Sequence, residues 1–309
     1  MKKNIVILGG GTGLPAMLRG IKYIDGINIT AIVTIADSGG STGILSKKFN
    51  IPAVGDLRRV ISSLSTNREQ LEKTMEYRFK GTNSDLDGHT MGNLFLTTHI
   101  LMNDSFAEGI EAASNALNIS GVVLPVSNSF NHLQATLQDG THIEGEDKIG
   151  HSSQPIKEVY YNKGKASKES IDAILKADLI IFGIGSLYTS LIPNLIYPNM
   201  VRALKNTKAE IVYFSNIFTQ PGETDNMTVK DHVKAIEKHT FKRIIDKVIF
   251  SSTKIPSDVI KSYEKDGQYL VKNDYDKSIL VNLTEVIVTD DSRVRHSENK
   301  IEKFTKQLL

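Results

Sequence analysis

A doubly wound, mostly parallel α/β sheet of Rossmann-like type, with a small antiparallel insertion and a C-terminal appendage, is the fold this sequence predicts. Three observations predict it. Short β-rich apolar runs recur along the 309 residues, most of them separated by helix-compatible stretches, as parallel strands buried on both faces by crossover helices require. Glycine-rich turns follow directly on several of these runs, where a strand must turn sharply into a helix. Between 135 and 161 the texture changes to short alternating segments punctuated by Gly140, Gly145 and Gly150.

Taken in order, the runs are Ile5 to Leu8, Thr30 to Ile35, Val122 to Val126, Leu179 to Phe182, Ile211 to Phe214 and Lys247 to Phe250. Asp139-Gly140 lies between two short runs and signals a hairpin inside the 135–161 segment, which reads as an insertion and not a separate domain. After about Thr253 the chain turns polar and charged. Ile279 to Leu283 and Thr284 to Val288 are its last expected strands, and Ile301 to Leu309 a final helix. The expectation is one Rossmann-like domain over 1–309, with 253–309 as its appendage.

Lysine and arginine number 37 against 35 acidic residues, so no global charge argues for a nucleic-acid or membrane partner, and ligand contacts must be local. The absence of cysteine removes disulfides, thiolate metal sites and a cysteine nucleophile, and suits a reducing compartment. The apolar run Ile5 to Leu8 is too short for a signal-peptide core, and nothing approaches the roughly 20 apolar residues of a membrane-spanning helix. A cytoplasmic protein is expected.

The first candidate site is Gly9-Gly10-Gly11-Thr12-Gly13-Leu14-Pro15-Ala16, where Gly11, Gly13 and Ala16 satisfy a G-x-G-x-x-A dinucleotide pattern. Glycines let the backbone approach phosphate oxygens, and the next helix offers free N–H groups at its positive end. A bare strand-to-helix turn is the alternative. The segment lacks the G-K-[ST] ending of a P-loop. The second site, Asp37-Ser38-Gly39-Gly40-Ser41-Thr42, would emerge at the same sheet edge, with Asp37 placed for a ribose hydroxyl and Ser38, Ser41 and Thr42 adding hydroxyl donors. An Asx-type turn capping a helix is its alternative.

In the third segment, Gly55-Asp56-Leu57-Arg58-Arg59, Asp56 is a candidate N-cap, and first-turn arginines suit a nearby anion or carboxylate. Gly88-His89-Thr90-Met91-Gly92-Asn93 suggests a loop feeding a helix, with Asn93 as a ligand contact and His89 weaker. The fourth glycine loop, Gly183-Ile184-Gly185-Ser186-Leu187-Tyr188-Thr189-Ser190, brings hydroxyls to a helix start but is no nucleophile elbow, because Tyr188 stands where G-x-S-x-G needs glycine. The later stretch from Ser215 to Thr224, including Asn216, could add amide and carboxylate contacts from the same edge.

As an ordered set, these loops resemble the YvcK-like gluconeogenesis factor family, whose relatives include CofD-type 2-phospho-L-lactate transferases. The resemblance runs from Ile5 to about His296. It implies a Rossmann-like fold, a nucleotide or UDP-sugar ligand, and a role in cell shape and wall-precursor supply during gluconeogenic growth. Ser38 stands where family members usually carry a second acidic residue, and Ile184 where a proline is usual.

The expectation is therefore a binding and regulatory protein for a UDP-sugar or NAD-like nucleotide. Gly10, Gly11, Thr12 and Gly13, together with Gly39, Gly40 and Ser41, would hold its diphosphate, and Asp37 would contact a ribose or sugar hydroxyl. Asn93, Gly185, Ser186, Tyr188, Thr189 and Asn216 would complete the pocket, with Ser38, Thr42, Asp56 and Arg58 beside it. Partners would include further copies of the chain and proteins of cell-wall synthesis. The rival is a CofD-like transferase, with Asp56 as its candidate catalytic residue and Asp37 and Asp56 positioning Mg2+. An NAD-dependent oxidoreductase is a third, weaker reading.

Overall fold

A computed structural model describes residues 2–66, 68–81, 83–287 and 293–309, with the side chains of Arg68, Val286, Ile287 and Arg293 left aside. The strands are β1 Lys3–Gly9, β2 Ile27–Val33, β3 Val122–Pro125, β4 Gln134–Leu137, β5 His142–Glu144, β6 Ile156–Tyr160, β7 Leu179–Phe182, β8 Glu210–Phe214, β9 Lys247–Ser251, β10 Ser278–Val281, β11 Thr284–Ile287 and β12 Arg293–His296. The helices before the central sheet's second half are α1 Gly13–Ile21, α2 Gly40–Phe49, α3 Gly55–Leu64, α4 Arg68–Glu76, α5 Met91–Leu101, α6 Phe106–Ala116, α7 Glu146–Gly150 and α8 Lys168–Lys176. A π-helical turn, Leu187–Leu191, leads into α9 Ile192–Leu195, followed by α10 Pro198–Asn206, α11 Val229–His239, α12 Ser257–Lys265 and α13 Glu298–Leu308.

Seven parallel strands form the central sheet in the order β10-β9-β8-β7-β1-β2-β3. Strands β1 and β7 lose nearly all their solvent exposure because both faces of the sheet are covered, which is why their sequences read as unbroken apolar runs. The chain builds one half of the sheet outward from β1 and then returns to lay β7 on its other side. The order therefore reverses between β1 and β7, and the crevice beyond their carboxyl ends is where ligands bind in sheets of this kind.

The 134–160 segment forms a three-stranded antiparallel sheet, β5-β4-β6, whose β4–β5 turn has Gly140 at φ +88°. Beyond Thr253, β10 extends the main sheet, β11 and β12 pair as an antiparallel ribbon, and α13 packs on α1 through Ile301. Val288, expected at the end of β11, lies outside the described residues. Among the described residues no helix is long and apolar enough to cross a membrane.

Candidate functional site

Both glycine loops of the switch point meet at the carboxyl edge. Gly11 makes the turn out of β1 at φ +61°, a conformation that favours glycine. Gly13 then brings α1 against the β7 loop so closely that an added Cβ would lie 2.2 Å from the Ile184 carbonyl oxygen. Pro15 falls in the first turn, where its missing N–H costs nothing, and no side chain caps α1. Its N-terminus opens into a cavity of about 650 Å³ lined by Gly11, Thr12, Gly13, Gly185, Ser186 and Asn216. Orphan N–H groups and the positive end of a helix dipole thus face open space, an arrangement suited to an anion.

The opposite wall comes from later in the chain. Phe218 and Tyr263 stack with ring centroids 4.1 Å apart, and Gln220, Gln268 and His296 also line the cavity. Gln220 donates through Nε2 to Ser186 Oγ at 2.7 Å, and its buried Oε1 has no partner among the described residues. Asn216 is held by its Nδ2, which donates to the Gly185 carbonyl at 2.9 Å.

The second loop is engaged largely with the protein. Asp37 Oδ1 accepts the Gly39 N–H at 3.0 Å, the Asx-type turn weighed above, so that amide is already occupied. Gly40 turns at φ +42° into α2, whose N-terminus has no side-chain cap. Asn93 Nδ2 donates to Ser41 Oγ at 3.1 Å and Thr42 Oγ1 at 3.3 Å, and Ser41 Oγ also meets His89 Nδ1 at 2.9 Å. These buried groups brace the loop from behind. Ser38 Oγ accepts the Asp147 N–H at 3.1 Å, which fastens α7 of the insertion across the loop.

In the third segment the expected cap is displaced: Val54 is the N-cap of α3, and Asp56 lies in its first turn. Helical φ and ψ at Val54 start the helix one residue ahead of Gly55, so Asp56 serves the helix end by charge and not as a cap. It pairs with Arg59 at 3.0 Å. Arg58 is buried against Glu76, at 2.9 Å, and donates to Thr90 Oγ1 at 2.7 Å, so a carboxylate partner accounts for it. In the fourth loop, the Tyr188 N–H and Thr189 Oγ1 both donate to Glu223, at 3.2 and 2.8 Å.

The carboxyl edge therefore gathers more acid than the sequence suggested. Burial, then the neighbouring Asp37, raise Asp56 above the usual carboxylate range, against a hydrogen bond from the Gly11 amide and the pull of Arg59. Burial, then Asp37, Asp56, Glu223 and Asp147, push Glu146 up to about 8. Burial also raises Glu223, against its hydrogen bonds from Thr189 and Tyr188. Glu146 escaped sequence reasoning because it sits in the insertion, with no strand-turn-helix signal, and reaches the site only through the docking of α7. Gln220, Tyr263 and His296 escaped because the cavity wall is made by segments far apart in the chain. Glu223 lay within a loop already singled out.

A family model described as 2-phospho-L-lactate transferase CofD matches residues 5–291, a span holding every glycine loop and all of these acids. The chain belongs to the CofD family. Within the family's range, the gluconeogenesis factor of Halalkalibacterium halodurans is 40% identical over 306 residues, covering 97% of this chain and 94% of that protein. The gluconeogenesis factor of Bacillus subtilis is 38% identical over 314 residues, covering 100% and 98%. A crystal structure of a Bacillus halodurans protein superposes with a TM-score of 0.93 at 40% identity, covering 98% of this chain and 99% of that one. Another, described as a member of the UPF0052 family, gives 0.92 at 39%.

Proposed function

We propose that this CofD-family chain is a gluconeogenesis factor of the cytoplasm that binds a nucleotide diphosphate, of UDP-sugar or NAD type, and supports cell shape during gluconeogenic growth. One observation carries the reading: the uncapped N-terminus of α1 opens into the switch-point cavity. The volume suits a dinucleotide-sized guest. The N–H groups of Thr12 and of the first turn of α1 would take the diphosphate, beside the Gly11 amide that Asp56 already holds, and the names of the relatives supply the physiological setting. Calorimetric titration with UDP-N-acetylglucosamine, UDP-glucose and NAD tests it. Binding of at least one is expected, and no heat from any of the three at millimolar concentration would refute the reading.

A second reading is a CofD-like transferase, which the electrostatic influence of Asp37 on Asp56 favours. Among the described residues no three carboxylates or histidines are grouped to hold a metal. The pair fits Mg2+ in the manner in which that ion is usually held, by one or two carboxylates plus substrate phosphates. Asp37 and Asp56 would hold it, and it would neutralise charge on the migrating phospho group. Magnesium-dependent turnover of a nucleotide-activated donor, lost in Asp56→Asn with folding intact, is the expected signature; turnover unaffected by the substitution would exclude it.

A further inference from the structure

The wall of the cavity facing away from the glycine loops holds one group that neither the fold nor the acidic cluster uses. His296 closes β12, is 8% exposed, and lines the same cavity as Gly11, Thr12 and Gly13. Its backbone is fixed by pairing with Thr284 in the β11–β12 ribbon. Neither ring nitrogen has a hydrogen-bond partner among the described residues. The ring is enclosed by the protein yet lines the cavity, so its nitrogens are free to meet a ligand there. Other enclosed histidines of this chain find at least one partner: His232 Nδ1 meets Tyr213, and His239 meets Ala235 and Val159. His296 does not, and it borders open space.

The charges around it do not explain its retention either. The titratable groups lining the cavity with it are Tyr263 of α12, Asp266 just beyond that helix and Arg295 of its own strand. Asp266 and Arg295 are exposed, and Tyr263 Oη is already taken by the Val294 N–H at 2.8 Å. Burial alone moves the imidazole, down to about 4, with no charge effect from any of them. The free protein therefore carries a neutral histidine at neutral pH, in a cavity into which an uncapped helix points its positive end.

We propose that His296 is a proton-coupled anion contact: it binds the ligand's diphosphate from the wall opposite the glycine loops and takes up a proton as it does so. The inference rests on the reading of this cavity as a diphosphate site. An anion brought against the imidazole favours the charged form, opposing the burial that disfavours it. The cationic ring then donates a charge-assisted hydrogen bond that the neutral tautomer makes only weakly. The proton comes from solvent, and no bond in the ligand breaks. Binding becomes linked to pH in one direction, tightening as pH falls from about 8 towards 6.

Calorimetric titration with UDP-N-acetylglucosamine, at one pH near neutrality in buffers of different ionisation enthalpy, counts the protons directly. The diester diphosphate of this probe has no proton to exchange in that range, so uptake must come from the protein. Wild type should take up between zero and one proton, and its apparent Kd should rise by up to about tenfold per pH unit across the active range. Glu146 and Asp56 are also protonatable and belong to the acidic cluster described above, outside the cavity lining. Glu146→Gln and Asp56→Asn should therefore keep the uptake, whereas His296→Gln should abolish it, flatten the pH profile and weaken binding at about pH 6 by roughly tenfold or more.

The failures are distinct. No binding of the probe by wild type would overturn the diphosphate reading along with this one. Wild-type binding with no proton uptake, or uptake that survives in a cooperatively melting His296→Gln, overturns the role of His296 alone. Should that variant fail to fold, the proton count in wild type and the titration of the His296 ring by NMR, expected to shift upward only with ligand present, still decide the matter.

Discussion

Single residues here do work that their type alone does not reveal. Gly11 and Gly13 both belong to one fingerprint, yet the first serves a left-handed turn and the second a close backbone contact. Gly11→Val would strain the turn and press on Ser190 Oγ, 3.3 Å from an added Cβ, so its loss of binding would report the turn together with the phosphate space. Gly13→Ala forces α1 away from Ile184 and should destabilise by about 1–3 kcal/mol, read as a lower denaturant midpoint at unchanged m-value. Glu146 offers a pH test. Its folded value of about 8 lies above the unfolded one of about 4.5, so the native state binds the extra proton between them, and stability falls as pH rises through that window. Glu146→Gln should raise Tm at about pH 8.5 and leave it nearly unchanged at about pH 4.5. An equal shift at both would show that Glu146 is already solvated. The glycines were legible in the sequence because backbone geometry demands that residue type; Glu146 was not, since its chemistry comes from neighbours brought from Asp37, Asp56 and Glu223.

At the scale of elements, the central strands were legible, to the residue at Leu179–Phe182 but only to within about three residues at Ile27–Val33, because strands buried on both faces read as apolar runs whose ends the pattern does not mark. The insertion was legible as a hairpin but not as a part of the site. Its apolar side chains, Ile149, Ile156 and Val159 among them, join the main core, and polar contacts add to this: Ser38 Oγ holds the Asp147 N–H, and His239 Nε2 of α11 accepts the Val159 N–H at 3.0 Å while Nδ1 meets the Ala235 carbonyl at 2.7 Å. Only a neutral imidazole can accept at Nε2 and donate at Nδ1 together. Burial holds His239 below its ordinary value. The unfolded state therefore binds the proton first, and this contribution is complete above about pH 6.5 and is lost as pH falls below it. Hydrogen exchange at Val159 and Tyr160 should accelerate in that acid window while β1 and β2 stay protected. His239→Ala should show the fast exchange at every pH, and a Val159 amide that stays equally protected in the variant would remove His239 as the tie.

For the whole molecule, the question is what keeps the cavity's two walls in register, one wall made by the first loop of the sheet and the other by the last segments of the chain. The sequence gives no sign of this closure, because helix periodicity identifies α13 as amphipathic without saying which element it covers. The structure answers with α1. Gly20 lies so close to α13 that an added Cβ would come within 2.7 Å of the Glu298 carbonyl oxygen, Arg19 pairs with Glu298 at 2.6 Å, and Ile301 is fully buried between them. Phe304 reaches the sheet at Phe214, with ring centroids 6.1 Å apart. The helix whose N-terminus opens into the cavity is thus backed by the helix that follows β12 and its His296. Ile301→Ala should cost about 2–5 kcal/mol as a buried truncation. More tellingly, it should weaken nucleotide binding although residue 301 lies outside the cavity lining, because α1 and the ribbon lose their common support. Calorimetry at a temperature where the variant is still fully folded separates the two effects, and an undiminished affinity there would mean that the two walls hold their spacing without α13.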